Sequence, residues 1–427
     1  MARLFKNILF FIVMLAACAL YAQQSLQFSS KALTWQDCTA LAAKNNTQYK
    51  TAQKNLEIAK SNYNLALNQY GPAANIQYGY QRSNYNIIDE QDNWSLTLSA
   101  SQNIFNWEAI ANIRIQKENF VLAQAQLQQA SAAARYNLRQ AYLGMIYAQE
   151  GIRLAQSIYQ IRQASADMIR LQYEGGNESK GNTMRADALA FAANNNIKTA
   201  RRNLDVARKN LIAALGIDWG GDFIIQDKLN PSEPKPFDIN GAVENMPQII
   251  ISKSSLEIAR RQLSASKAGI LPNLTASGAW GLQDSKPNLQ NSSDIWSLSV
   301  MLSYPIFANG LTASKENIDI AKSTLAQNEE ALKQQYLSSK AQLQAILSAL
   351  ETDADTIESN KLLLASAEQM DKEANIQYLA GLMDFQIWQG VEQDLVNYKT
   401  AYLTSLYTAE LDAASKDNLL GIGLTNE

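Results

Sequence analysis

A pattern written twice constrains this chain more than any single motif. Leu56-Glu57-Ile58-Ala59 returns as Leu256-Glu257-Ile258-Ala259 and Pro72 as Pro272, a shift of 200 residues. Trp94-Ser95-Leu96 and Ile104-Phe105 return as Trp296-Ser297-Leu298 and Ile306-Phe307, a shift of 202. The shift then settles at 205: Gln172-Tyr173 maps to Gln377-Tyr378, Gly176 to Gly381, and Leu215-Gly216-Ile217 to Leu420-Gly421-Ile422. Matches that keep their order over this distance mean duplication, with small loop insertions moving the register. One copy spans residues 33–217 and the other 237–424, joined by a connecting segment at 218–236.

Each copy runs through the same elements. A short helix opens it, with Thr34 and Asp37 spaced as a capping box in the first copy. A longer helix follows, about Gln48 to Gln69 and Pro247 to Ala268. Gly71-Pro72 and Pro272 end these helices, because proline pushes the residue before it out of helical geometry. After two strands comes a helical run, Trp107 to Tyr173 and Gly310 to Tyr378, with no proline in either. At 1.5 Å per residue each run spans roughly 100 Å. Leu311, Ile318, Leu325 and Leu332 recur every seven residues, and Leu154, Ile158, Ile161, Ser165 and Met168 follow a coiled-coil seam. A glycine-bearing turn and a return helix, about Met184 to Leu215 and Phe385 to Ser415, close each copy as an antiparallel helical hairpin.

The strands alternate with period two. From Trp94 to Ser101 every even position is apolar and every odd one a small hydroxyl, and Trp296 to Tyr304 repeats this with the exception of Met301. Asn75 to Gln81 and Asn273 to Gly278 behave alike, and the segments near Ser83 to Asn93 and Asp284 to Asp294 read as polar loops. A length of about ten residues suits a tilted membrane strand. Tyr78, Tyr80, Trp94, Trp280, Trp296 and Tyr304 on the greasy faces suit an interfacial aromatic girdle. A soluble β-sandwich with one buried face is the competing reading. Spanning sheets must close, and familiar membrane barrels need about eight strands. Four strands per chain therefore require partner chains, and both a dimer and a trimer are geometrically open.

Histidine is absent, which excludes His-based proton transfer, Ser-His-Asp and Cys-His triads and His-ligated metal sites. Net charge is −3 with charged residues only 18%, so no basic surface points to nucleic acid. Glu329-Glu330, Asp353-Asp355 and Asp167 read as solvated helix faces, and Asp218-Trp219-Gly220-Gly221-Asp222 as a turn. No enzyme motif or cofactor fingerprint is present, and no metal site is expected. Residues 1–22 read as an export signal: Arg3 and Lys6 precede an apolar run from Ile8 to Ala17 that is too short to span a bilayer. Leu15-Ala16-Ala17-Cys18 also resembles a lipobox, which would place the cut before Cys18 and a lipid on it; both readings of Cys18 stand.

In these residues the chain resembles the TolC-type outer-membrane efflux protein family. The likeness runs from Leu33 to Leu424 and rests on the doubled order of elements and on local signatures. These are Leu33 to Leu41 at the start, Ile270-Leu271-Pro272, Trp296-Ser297-Leu298-Ser299 leading to Tyr304-Pro305-Ile306-Phe307 and Gly310, and the tip turns Tyr173-Glu174-Gly175-Gly176 and Tyr378-Leu379-Ala380-Gly381. The resemblance implies a mainly α protein with membrane β: duplicated long α-helical hairpins, and four strands contributing to a trimeric twelve-stranded outer-membrane barrel above a periplasmic α-barrel. It implies a passive exit duct in the outer membrane with a long periplasmic extension. The duct would form as a homotrimer in outer-membrane lipid and dock with a periplasmic adaptor and an inner-membrane transporter. An exported coiled-coil protein without a pore is the alternative.

The gate departs from the family pattern. Where some members carry aspartates beyond the second tip glycine, this chain has Ile387 and Gly390. The candidate gate is therefore mainly apolar, from Met383, Ile387 and Trp388, with Asp384 at its edge or capping the return helix. Gly175, Gly176 and Gly381 are expected to supply the turn geometry, and Glu178, Ser179 and Lys180 an adaptor contact.

Overall fold

The computed structural model describes residues 32–85, 88–218, 223–232, 236–306 and 311–425. Its first half holds β1 (Ala32–Leu33), α1 (Trp35–Asn45), α2 (Thr47–Leu67), β2 (Ala73–Tyr85), β3 (Ile88–Phe105), α3 (Trp107–Glu174) and α4 (Lys180–Leu215). Its second half holds β4 (Ile224–Ile225), α5 (Ile239–Glu244), α6 (Pro247–Ala268), β5 (Asn273–Asp284), β6 (Ser293–Ser303), α7 (Ala313–Leu379) and α8 (Phe385–Leu419). The export signal at 1–22, Cys18, Phe307, Gly310 and residues 219–222 lie outside the described residues. Among the described residues, no helix is long and apolar enough to cross a membrane.

Side chains that accept the orphan N–H groups of the first turn set where helices begin. The Thr34–Asp37 capping box starts α1, and Asn46, Asn106, Ser179 and Asp384 cap α2, α3, α4 and α8. The Ser179 cap starts α4 four residues before the Met184 expected from its pattern. Helix ends repeat with equal regularity. Gly176, Gly216, Gly381 and Gly421 are left-handed, with φ of 78°, 69°, 71° and 77°. After each, the next N–H reaches back five residues, as from Asn177 to Gln172 O and from Leu382 to Gln377 O. The duplication is thus visible in backbone geometry as well as in sequence.

The helices form one layer of four rods. Near the strands the order across the layer is α2, α3, α6, α7, and near the tip turns it is α4, α3, α8, α7. Buried alanines along α3, among them Ala109, Ala123, Ala132, Ala134 and Ala166, let neighbouring helices approach closely. The two short rods are stacked end to end. Asn46 Nδ2 donates to Ala214 O at 3.0 Å, seating α2 on α4. Gly421 at the end of α8 lies so close to Pro247 that a Cβ there would sit 2.6 Å from its Cδ, which seats α6 on α8.

A belt covers one face of this layer midway. β1 pairs in parallel with β4, and α1 packs with them around Leu33, Cys38, Leu138, Tyr142, Leu215 and Phe223. Two-residue strands are too short for alternation to register, so neither was anticipated. The long hairpin also differs from expectation. Where polar loop was read at 83–93, β2 continues to Tyr85 and β3 resumes at Ile88, with Gln81 opposite Asn93 and Arg82 opposite Asp92. Backbone ladder bonds and an Arg82–Asp92 contact of 3.7 Å hold this end together without any apolar alternation to announce it.

Candidate functional site

The strands form one antiparallel sheet in the order β2-β3-β5-β6. Its register pairs Tyr80 with Trp94, Leu98 with both Ile76 and Trp280, and Trp280 with Trp296. Directly opposed residues share a face, so the even-numbered side chains of the alternating stretches, from Ile76 to Leu302, make a single apolar surface. That surface is open: Trp296, Leu298 and Val300 keep 73%, 75% and 68% of their area exposed. A soluble sandwich would have buried them. The opposite face carries Gln77, Ser95, Thr97, Ser99, Ser277 and Ser297, with Ser277 and Ser299 hydroxyls 2.8 Å apart. Met301 and Ile295 are its large apolar exceptions.

The expected girdle residues all lie at the sheet. Trp94 is packed between Tyr78 and Tyr80, with ring centroids 5.7 and 4.6 Å away. Tyr78, Tyr80, Trp280 and Trp296 are exposed on the apolar face, and Tyr304 is exposed just past β6. Phe105 and Trp107, in edge-to-face contact at 4.5 Å, stand at the helix junction and were not singled out from sequence. They fall outside the alternating stretch, and the β3–β5 register shifts between Asn103 and Phe105. Among the described residues, β2 and β6 have no partner strand at their outer edges.

At the other end of the rods the two tip turns are tied together. The Tyr378 hydroxyl donates to the Glu178 carboxylate, linking α7 to the first turn. Burial alone would raise the Glu178 carboxyl, but hydrogen bonds from Tyr378, the Ser179 N–H and Asn182 outweigh it and hold the carboxyl below its usual range. Tyr378 stacks on Trp388 at 4.9 Å, and Trp388 Nε1 donates to Asn375 at 2.8 Å. Above this cluster, Arg162 on α3 meets Glu392 on α8 at 2.5 Å, with both side chains buried. Ser165 adds a 2.6 Å bond to the same carboxylate, and Arg162 a 2.6 Å bond to Gln393.

A model of the outer membrane efflux protein family matches residues 39–217 and 239–412, one stretch in each copy. The chain belongs to that family. Members work in the outer membrane, and this chain's exposed greasy sheet and long helical extension fit that place. The alkaline protease secretion protein AprF of Pseudomonas aeruginosa is 24% identical over 241 residues, 54% of this chain. In that match the chain spans about half the length of AprF, 50%. The cobalt-zinc-cadmium resistance protein CzcC of Cupriavidus metallidurans is 23% identical over 344 residues, 78% of this chain and 79% of that protein. Crystal structures of CusC share the fold with a TM-score of 0.83 at 18% identity, covering 94% of this chain and 96% of that one. The open-state outer membrane channel MtrE of Neisseria gonorrhoeae does so with a TM-score of 0.81 at 18% identity, covering 92% and 90%.

Within this efflux-family fold the candidate tip residues take separate places. Trp388 is 2% exposed, packed inside its own hairpin against Tyr378 and Phe385, so it is a core residue of the tip. Asp384 caps α8, accepting from the Gln386 N–H at 2.8 Å. Met383 is half-buried against the same cluster, whereas Ile387 is exposed. Leu382 is more exposed than either. Of the glycines, Gly176 and Gly381 hold left-handed backbone, but Gly175 at φ −75° does not need to be glycine for its angles. Glu178 is engaged by Tyr378 and Asn182, and Ser179 by its cap, which leaves Lys180 as the exposed polar end of that turn.

Proposed function

We propose that three copies of this chain close a twelve-stranded barrel in the outer membrane and continue it as a helical tunnel that serves as a passive exit duct. The observation that carries this reading is the four-stranded sheet, apolar and open on one face, polar on the other, and unpaired at both edges among the described residues. A lone sheet of this kind leaves its edge N–H and C=O groups unsatisfied in lipid, whereas edge-to-edge pairing of three copies removes every edge and points the polar face inward. The alternative of a structural coiled coil without a pore does not account for the exposed apolar face. Relatives are named for protein secretion and for metal resistance, so the duct is the common element and the cargo is left to the partners.

The tips supply the second half of the reading. Leu171, Met184, Leu379, Leu382 and Ile387 are exposed apolar groups at or beside the turns. In a trimer the second-tip set, Leu382 and Ile387, converges as an apolar closure, and the exposed tip surface receives an adaptor and an inner-membrane pump. Purified protein in planar bilayers tests this. A detergent-extracted species of three chains with discrete, rarely open conductance steps is expected. Release of the chain from membranes by urea alone, or a monomer without conductance, would overturn it.

A further inference from the structure

Where α3, α8 and the belt meet, a cavity of about 350 Å³ opens beside Trp35, Arg135, Tyr136, Ser232, Lys416 and Asp417. It lies 28 residues along α3 from Trp107, roughly 40 Å below the sheet at 1.5 Å per residue. The belt occupies one face of the helical layer, and a duct can carry such a belt only on its outer wall, since inside it would fill the bore. The cavity therefore faces the periplasm rather than the tunnel.

Part of its lining is already engaged. Arg139 pairs with Glu410 at 2.8 Å and lies 4.9 Å from the centre of the Trp35 ring. The second Glu410 oxygen accepts from the Asn230 N–H at 3.3 Å, and Arg135 donates to Gly423 O at 3.2 Å. Lys416 and Asp417 differ from these. Neither side chain has a hydrogen-bond partner among the described residues, although both line the cavity. Burial raises the Asp417 carboxyl even though Lys416, Arg135 and Arg139 all act to lower it. A half-buried carboxylate with no N–H donor among the described residues, next to an ammonium with no acceptor among them, is costly to maintain unless something completes both.

We propose that this cavity binds a neighbouring ammonium and carboxylate, as a short zwitterionic peptide carries them, with the carboxylate between Lys416 and Arg135 and the ammonium on Asp417. The volume accommodates a residue or two. Two sources present such a pair in the periplasm: free short peptides, and the uncrosslinked diamino-acid side chains of cell-wall stem peptides, whose own N-termini are acylated. That the cavity faces the periplasm rests on the duct reading, whereas its lining does not, so probe binding and conductance are separate readouts.

Titration calorimetry of the detergent-purified protein with alanyl-alanine as probe tests the site. Binding is expected, weakened about tenfold or more by N-acetylation or C-amidation of the probe, since each removes one charge-assisted contact. Lys416→Met and Asp417→Asn should each weaken it to a similar extent while leaving oligomer size unchanged, because the caps at these positions use backbone atoms, Lys416 O and Asp417 O. No binding of alanyl-alanine at millimolar concentration, or equal binding by the capped probes or by both variants, overturns the proposal. Co-sedimentation with purified cell-wall sacculi assigns the source. Retention of wild type but not of Lys416→Met supports the site with the wall as ligand. Probe binding without retention supports it with free peptide.

Discussion

Gly381 and Gly421 hold nearly the same left-handed backbone, with φ of 71° and 77°, but their surroundings differ. Nothing lies within 4 Å of a Cβ at Gly381, whereas one at Gly421 would meet Pro247 Cδ at 2.6 Å. Gly381→Ala should therefore cost only the conformational strain, about 1–2 kcal/mol. Gly421→Ala adds displacement of the first residue of α6, and its melting temperature in detergent should fall further. Equal losses in circular-dichroism melts would show that the α6–α8 joint has slack. Both glycines were legible in sequence because the doubled pattern marks them. Gly175 departs from expectation, since two adjacent glycines look alike in a sequence and only the backbone shows that Gly176 is the one that turns left. Cys38 is a second residue whose environment the sequence hides. Its thiol is pushed up to about 12, first by burial and then by Asp37 and Asp227. With so little thiolate it is chemically quiet in the folded protein.

At the scale of helices, the 3.6-residue pattern tells which face is buried but not which distant segment covers it. Tyr378–Glu178 and Arg162–Glu392 join residues 200 and 230 apart, and no local signal announces either. The second pair supports a prediction. Arg162→Ala leaves a buried Glu392 charge uncompensated, a loss of roughly 3–5 kcal/mol, while Arg162→Met with Glu392→Leu removes both charges and should recover most of it. Protease sensitivity near the tips reads the difference; a double variant as fragile as the single one would mean that shape rather than charge holds the hairpins together. Asp353 was read as a solvated acid, and the structure corrects this. One of its oxygens is buried without a partner, and the charged group acting on it is Asp412 on α8. Burial first, then Asp412, raise its carboxyl from 3.8 to about 6. Since the folded value lies above the unfolded one, the folded state binds more protons between them, and stability falls as pH rises from about 4 to 6. Asp353→Asn should flatten the pH dependence of melting across that interval relative to wild type. An unchanged slope in Asp353→Asn would rule out this carboxylate as its source.

For the whole molecule, the decisive property is that one sheet must satisfy two solvents at once. Val300 and Ser299 are neighbours in β6, yet the register sends them to opposite faces, Val300 opposite Ala276 on the apolar side and Ser299 opposite Ser277 on the polar side. Val300 also lies midway in sequence between Trp296 and Tyr304, so on the proposed barrel it would fall between the two aromatic levels. The same arginine placed at the two positions therefore meets different environments. At Val300 it faces hydrocarbon, where a midplane cation costs about 2–4 kcal/mol in each copy. Three copies in one barrel multiply that cost, so Val300→Arg should lose the detergent-stable oligomer and accumulate as unassembled chain. At Ser299 the guanidinium faces water, so assembly should persist while a ring of added positive charge shifts conductance toward anions. Oligomer yield on gel filtration and reversal potential under a salt gradient measure the two outcomes. If the effects were exchanged, with Ser299→Arg blocking assembly and Val300→Arg altering selectivity, the sheet would have the opposite face toward lipid. If neither variant affected assembly or selectivity, the sheet would not be the wall of a pore.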